Sequence, residues 1–478
     1  MNKLKLFIDN FLVYGIGGLI SKLIPLIMIS IITWLLPNTD YTGINDMSNT
    51  IIQFACAFAI LGMYDAMYRL FFEKEDENYK MQVCSTALVF TLFTSVIVFV
   101  LMLIFKDIIA IFFLSDVQYA NVVYLAAMGT LVSATNSIIS APTRMQNKRI
   151  LYLSVNAIGP IISYSISIPL VLKGYYVIAL PLSSVISGLT IEIAFKIINR
   201  KWFKIRLFNK KVLKQLLAIA LPLFPNFIIY WIFNYCDKLM ITNMIGIGAA
   251  GVYAIGSLLG HASQLIYMAF AGGWQFFAFS TMKEKNQVET NSKVFEYLGA
   301  ISFVAVMFMC ALSFPFFHLY KPIYLEGYIV TPYLFFAPLL QMLFQVAANQ
   351  FLVIKKTWPN LFILLSGAIL NIVLNYLLIP ELGIEGASIA SVIGYIVSDI
   401  ICVIVLCRMK LMNISKRFII AIMTTLVFML MWRFFYSDNV VLGLISAAVF
   451  TVIIVILYLK ELKHIAGLLK KKKSVVKD

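Results

Sequence analysis

Histidine occurs three times in this chain of 478 residues and cysteine six times, and neither is grouped. Cys56, Cys84, Cys236, Cys310, Cys402 and Cys407 have no paired spacing and lie within or at the ends of apolar stretches, so neither a disulfide framework nor a zinc site follows. Charge is scarce too: Asp, Glu, Lys and Arg make up 13% of the residues. Segments between apolar stretches are short, the longest being the 198–215 connection and a C-terminal tail of about 19 residues, which leaves no room for a soluble catalytic domain. No Gly-x-x-x-x-Gly-Lys-Ser/Thr phosphate loop is present, which argues against ATP hydrolysis within this chain. No cofactor and no metal are expected.

What the sequence has instead is apolar length. Hydrophobic residues make up 62% of the chain and the mean hydropathy is +0.92. The apolar stretches number fourteen, each near the ~20 residues that cross a bilayer, at 11–36, 44–68, 83–105, 119–141, 150–172, 175–197, 216–241, 250–276, 294–317, 327–352, 358–379, 384–407, 416–435 and 439–459. The fold class expected is an all-α polytopic membrane protein with two parallel six-helix bundles around a central cavity and two further C-terminal helices. About 32 of the 38 Lys and Arg fall on the side of the termini, five (Lys106, Lys173, Lys238, Lys321, Arg433) on the other, and Lys22 inside span 1. Basic loops resist translocation, so both termini are expected in the cytoplasm. The basic start Met1-Asn2-Lys3-Leu4-Lys5 leads into a stretch longer than a signal peptide core, with no small-x-small cleavage site, and is expected to stay as span 1.

The net charge of +16 does not point to nucleic acid, because the basic residues sit in short loops beside spans, where they set topology and meet anionic lipid. The densest loop, from Lys201 to Lys211, mixes aromatics with cations and reads as an interfacial helix. Lys470 to Lys473 form a polybasic cluster in the tail. The organisation read from this is a first bundle at 1–200, a cytoplasmic interfacial linker at 201–215, a second bundle at 216–410, helices 13 and 14 at 411–460, and a basic tail at 461–478. The bundles read as faint copies offset by about 208–211 residues: Gly62 with Glu73-Lys74 parallels Gly272-Gly273 with Glu284-Lys285, and Lys148, Ile168-Pro169 and Gly174 parallel Lys356, Ile379-Pro380 and Gly383.

Polar residues gain nothing by facing lipid, so stripes of them at helical spacing mark protein or water. Span 1 carries Asn10, Tyr14, Gly17 and Ser21; span 8 carries Tyr253, Ser257, His261 and Gln264; span 10 carries Gln341, Gln345 and Asn349. These three stripes are read as lining a wet cavity. Ser133, Ser137 and Ser140 of span 4 are read as helix packing. Lys22, roughly 16 Å into span 1, is too deep to snorkel and should meet water, an acid or an anionic ligand. His261, at similar depth in span 8, reads equally as a structural hydrogen-bonder or a functional group. Asp399, midway along span 12, would bind a coupling cation or pair with a lysine. Asp65 and Glu192 read as solvated, and Asp237-Lys238 as a structural pair at the outer surface.

Several stretches resemble the bacterial polysaccharide (O-antigen and capsule repeat-unit) flippases of the multidrug/oligosaccharidyl-lipid/polysaccharide exporter superfamily. They are Tyr41-Thr42-Gly43-Ile44 with Leu61-Gly62, Leu221-Pro222-Leu223-Phe224-Pro225 through Asp237-Lys238, Trp274-Gln275-Phe276-Phe277, and, most specific, Asn371 through Pro380 followed by Gly383 and Gly386-Ala387. The resemblance spans roughly residues 10–410. It implies export of an undecaprenyl-diphosphate-linked oligosaccharide by alternating access, with no enzymatic step, and a downstream polysaccharide polymerase as a possible partner. Tyr14, Ser21, Lys22, His261, Gln264, Gln341, Gln345 and Asn349 would then meet the substrate, and Asp399 a coupling ion. Related lipid II flippases carry several arginines in the cavity, whereas this sequence offers Lys22 and His261. Lipid II flipping, cation-coupled drug antiport and a membrane polymerase or glycosyltransferase are the competing readings.

Overall fold

The computed structural model describes residues 24–264, 266–267, 270, 286–354 and 358–461. Among them there is no strand. The helices are α1 (Ile24–Leu35), α2 (Asp40–Ile60), α3 (Met63–Phe71), α4 (Glu77–Ile104), α5 (Lys106–Leu114), α6 (Ala120–Met145), α7 (Arg149–Leu172), α8 (Tyr176–Ile198), α9 (Lys210–Met244), α10 (Ile247–Gly260), α11 (Gln287–Phe317), α12 (Thr331–Val353), α13 (Trp358–Arg408), α14 (Lys416–Met431) and α15 (Val440–Leu457). Each of the fourteen expected spans contains a helix.

Two spans depart from a plain rod. The second is broken into α2 and α3, which meet at 50° where Leu61 and Gly62 both take left-handed backbone angles. A Cβ on Gly62 would stand 2.7 Å from the carbonyl oxygen of Ala220, so the kink sits directly against α9. In the other case α13 runs for 51 residues, roughly 77 Å of helix at 1.5 Å per residue and twice what a bilayer needs. Gly383 (φ 60°, ψ −138°) breaks it into spans 11 and 12. Gly174, at the corresponding turn between α7 and α8, has φ 87°. These are the two glycines paired by the internal repeat.

The interfacial helix expected between the halves is not formed. Arg200–Trp202 and Ile205–Leu207 are single 3₁₀ turns, and α9 already begins at Lys210, capped by the side chain of Asn209. The reason is local: Ser85 of α4 donates to the Trp202 carbonyl and accepts from the Lys204 N–H, and Thr86 accepts from the Asn209 N–H, so side chains occupy backbone groups a helix would use.

Successive spans alternate direction, giving a basic face that carries the loops at 72–76, 146–148, 199–209 and 409–415, and a far face opposite. Burial separates inner from outer helices. The most apolar window of α12 is 83% buried, whereas that of α4 is 28% buried although its hydropathy is higher, so α4 shows its apolar side outward, as a lipid-facing helix does. Phe93, Ile97, Leu101 and Ile104 form that side.

The last two helices are pinned to the second half on both faces. On the far face Arg433 donates through Nε (2.5 Å) and Nη2 (2.7 Å) to Glu385 of α13. On the basic face Glu296 of α11 accepts from the N–H and hydroxyl of Ser415 (2.8 Å each) and from Arg417, which also pairs with Glu461.

Candidate functional site

A cavity of about 700 Å³ lies between the first and second halves. From the first half, α2 and α3 bring Gln53, Cys56, Tyr64 and Asp65, and α6 brings Ser137 and Arg144. From the second, α9 brings Phe227, Tyr230, Trp231, Asn234 and Tyr235, joined by Gln264, Tyr267, Gln341 and Gln345. The wall is thus made of amides and aromatic rings, with one cation and one acid among the described residues. Trp231 and Tyr235 stack at 6.2 Å and 23°, and Gln345 donates to the Tyr267 hydroxyl. Asp65 and Arg144 lie near the basic-face ends of their helices, so the cavity reaches toward that face.

The far face is sealed. Gly43 of α2 lies so close to α10 that a Cβ would stand 2.0 Å from the Ile247 carbonyl oxygen, and a Cβ on Gly251 would stand 2.1 Å from that of Thr39. Only glycine permits that approach. Below this seam Lys238 of α9 reaches Asp46 of α2 at 2.8 Å, with side chains 8% and 17% exposed. It is the one ion pair among the described residues that joins a helix before residue 200 to one after 210. Thr42 shares a hydrogen bond with Tyr324 (3.2 Å), Lys321 donates to the Leu36 carbonyl (2.7 Å), and Ser115 and Asn243 bond across α5 and α9.

The residues singled out from sequence fall in different places. Gln264, Gln341 and Gln345 line the cavity. His261 does not: it lines a small polar crevice on the far-face side, with Asp237, Lys238, Tyr253, Ser257 and Ser391, that shares Asn234 and Gln341 with the main cavity. Tyr253, Ser257 and His261 keep one face and enter that crevice together, but α10 stops at Gly260 and His261 and Ala262 form a tight turn, so Gln264 beyond it reaches the main cavity instead. Asn349 is buried (6% exposed) outside the cavity wall. Asp399 is 8% exposed and neither carboxylate oxygen has a hydrogen-bond partner; no lysine among the described residues pairs with it. Tyr14, Ser21 and Lys22 lie outside the described residues. Of the span 4 serines, Ser137 lines the cavity and Ser140 is buried.

One expectation is corrected. Asp237 and Lys238 are not a pair at the surface: both are buried, Lys238 bonds to Asp46, and Asp237 accepts from the hydroxyls of Tyr253 and Ser391. Asp65, read as solvated, is exposed, and it stands in the cavity wall. Sequence reasoning missed Arg144, counted only as a topological charge at the end of span 4, and the α9 wall. Phe227, Tyr230 and Asn234 at i, i+3 and i+7 were the available signal.

With the geometry in place, comparison with known proteins is informative. The profile of a family described as "Polysaccharide biosynthesis protein" matches residues 31–320. The chain belongs to that family. No curated protein matches it in sequence. Among solved structures, a lipid II flippase MurJ in an inward closed conformation superposes with TM-score 0.72 at 16% identity, covering 94% of this chain and 100% of that one. An inward-facing multidrug resistance MATE family transporter of the MOP superfamily gives TM-score 0.62 at 16% identity over 82% of this chain and 94% of that one. An outward-facing MATE structure gives 0.59 at 15% over 86% and 96%. At such identities the likeness is one of fold: the chain has the polytopic all-helical membrane fold seen in these structures.

Proposed function

We propose that this chain is a flippase that exports undecaprenyl-diphosphate-linked oligosaccharide repeat units across the bacterial plasma membrane by alternating access. The observation that carries the reading is the cavity itself. It lies between two halves, is closed at the far face and is walled by Gln53, Asn234, Gln264, Gln341 and Gln345 together with tyrosines and Trp231. Amides exchange hydrogen bonds with sugar hydroxyls, and aromatic faces stack on sugar rings. Its size, about 700 Å³, suits a polar headgroup, while a polyprenyl tail would stay in lipid. The basic face is the cytoplasmic one in this reading, with both termini there and anionic lipid against its loops. No chemical step is required. Lys22 supplies a further cation and Asp399 a site for a coupling ion.

The lipid II and drug-antiport readings share the fold. The reading of fourteen spans favours a lipid-linked substrate, since the MurJ superposition takes in 94% of the chain and the MATE ones 82–86%. Deleting the gene in its host should remove a surface polysaccharide while lipid-linked repeat units accumulate on the inner side, ahead of the polymerase that would use them. Normal polysaccharide with new drug sensitivity would overturn the reading in favour of antiport. Glycosidic bond formation by the purified protein would overturn it in favour of an enzyme.

A further inference from the structure

Arg144 is the cation in the cavity wall, and its setting is specific. Its guanidinium carbon stands 5.1 Å from the ring centre of Tyr64 and 5.0 Å from that of Tyr152, so two tyrosines from α3 and α7 hold it. One N–H is used, Nη2 donating to the Tyr64 hydroxyl at 2.5 Å, while the buried Nε has no partner. Among the described residues no carboxylate lies within ion-pair distance: Asp65, on the same wall, is not among its pairs. A guanidinium carries five donors in a planar fork. Arginines at comparable depth elsewhere in this chain, Arg417 and Arg433, spend theirs on glutamates. Arg144 is therefore oriented but not neutralised, at the end of the cavity nearest the basic face.

We infer that Arg144, clasped by Tyr64 and Tyr152, is the anion-binding residue of the cavity, and that it takes a phosphate or diphosphate ester presented from the basic-face leaflet. The assignment of that ester to a lipid-linked oligosaccharide rests on the flippase reading above. The geometry gives the substrate a direction: phosphate against the first half, sugars against the amide and aromatic wall of α9 and α12. Tyr64 follows the Leu61-Gly62 break directly, so the kink in span 2 is what brings the clasp to its arginine. A phosphate oxygen that binds Arg144 adds bonds between two charged groups, stronger than the one the guanidinium donates to the neutral Tyr64 hydroxyl. Asp65 opposes the anion and favours its release.

The test is binding of undecaprenyl diphosphate to the full-length protein in nanodiscs, with the uncharged alcohol undecaprenol, phosphatidylglycerol and inorganic pyrophosphate as parallel probes, and melting temperature measured for each variant. The native protein should prefer the diphosphate to the alcohol at least tenfold. Arg144→Gln should abolish that preference and leave alcohol binding alone. Arg144→Lys, a point charge without the fork, should weaken diphosphate binding at least threefold, and Asp65→Asn should tighten it at least threefold. These last two variants serve if Arg144→Gln does not fold. Arg144-dependent binding of pyrophosphate or phosphatidylglycerol with no preference for the polyprenyl ester would keep the anion site and remove the flippase reading. A diphosphate preference unchanged in Arg144→Gln, or in both of the other variants, would overturn the assignment and leave the flippase reading standing.

Discussion

Opening of the far face must break the Asp46–Lys238 pair, and this makes a quantitative prediction. Lys238 is buried and Asp46 mostly so, at 8% and 17% exposed, and Asp46 Oδ2 has no partner of its own, so the carboxylate depends on Lys238. Removing one member of a buried pair leaves an uncompensated charge and costs about 3–5 kcal/mol. In Lys238→Met that cost falls on the sealed state, because in an opened state Asp46 meets water. At 1.4 kcal/mol per factor of ten, the balance shifts toward the open state by at least about a hundredfold. The assay is a single cysteine at Gln53, in a background lacking the six native cysteines, labelled by a membrane-impermeant maleimide from the far side. Labelling should be slow with the pair intact and rise about a hundredfold in Lys238→Met. Replacing both members, Asp46→Leu with Lys238→Met, removes the stranded charge and should return labelling close to the starting rate. A double variant as open as the single one, or a single variant no more open than the parent, would refute the reasoning.

Three further outcomes can be measured, those at Gly251 and His261 from the structure and that at Lys22 from its place in the sequence. Gly251→Val should hold the far face open, because its first side-chain carbon would meet the Thr39 backbone oxygen at 2.1 Å; the same Gln53 label should become accessible, at a cost to the sealed state of about 1–3 kcal/mol. Lys22→Arg should keep export while Lys22→Ala loses it at unchanged protein level; if Lys22 instead bridges to Asp399, Lys22→Ala should lower abundance and removal of Asp399 as well should restore it. His261→Gln should retain export if His261 only hydrogen-bonds in its crevice, and lose it if a proton on the ring matters.

The membrane fold was legible because the two signals that specify it, apolar length and the sorting of Lys and Arg, are carried by composition over long windows and tolerate errors of a few residues. Two of the three amides in the span 10 stripe were legible for a related reason: an unbroken helix preserves its period, so Gln341 and Gln345 reach the cavity, while Asn349 one turn on is buried outside its wall. Where a helix ends, the period fails: Tyr253, Ser257 and His261 share one crevice, but past the turn after Gly260 Gln264 comes to the main cavity instead. Asp237 and Lys238 invited pairing because they are adjacent, yet neighbours on a helix point about 100° apart, and each found a partner on another helix. Arg144 stayed hidden because a cation at the end of a span looks the same whether it faces lipid headgroups or a cavity. Only the kink that carries Tyr64 beside it distinguishes the two, and a kink made by Leu61 and Gly62 has no strong sequence mark.

The double clamp on the last two helices, Arg433 with Glu385 on one face and Ser415, Arg417 and Glu461 around Glu296 on the other, fixes them to the second half as a lever is fixed to its shaft. A spectroscopic label at the turn near Ser437 and Asn439 would therefore ride with that half through the whole cycle. Paired with a second label at the turn near Gly174, it would read the angle between the halves from outside, while leaving every side chain of the cavity untouched.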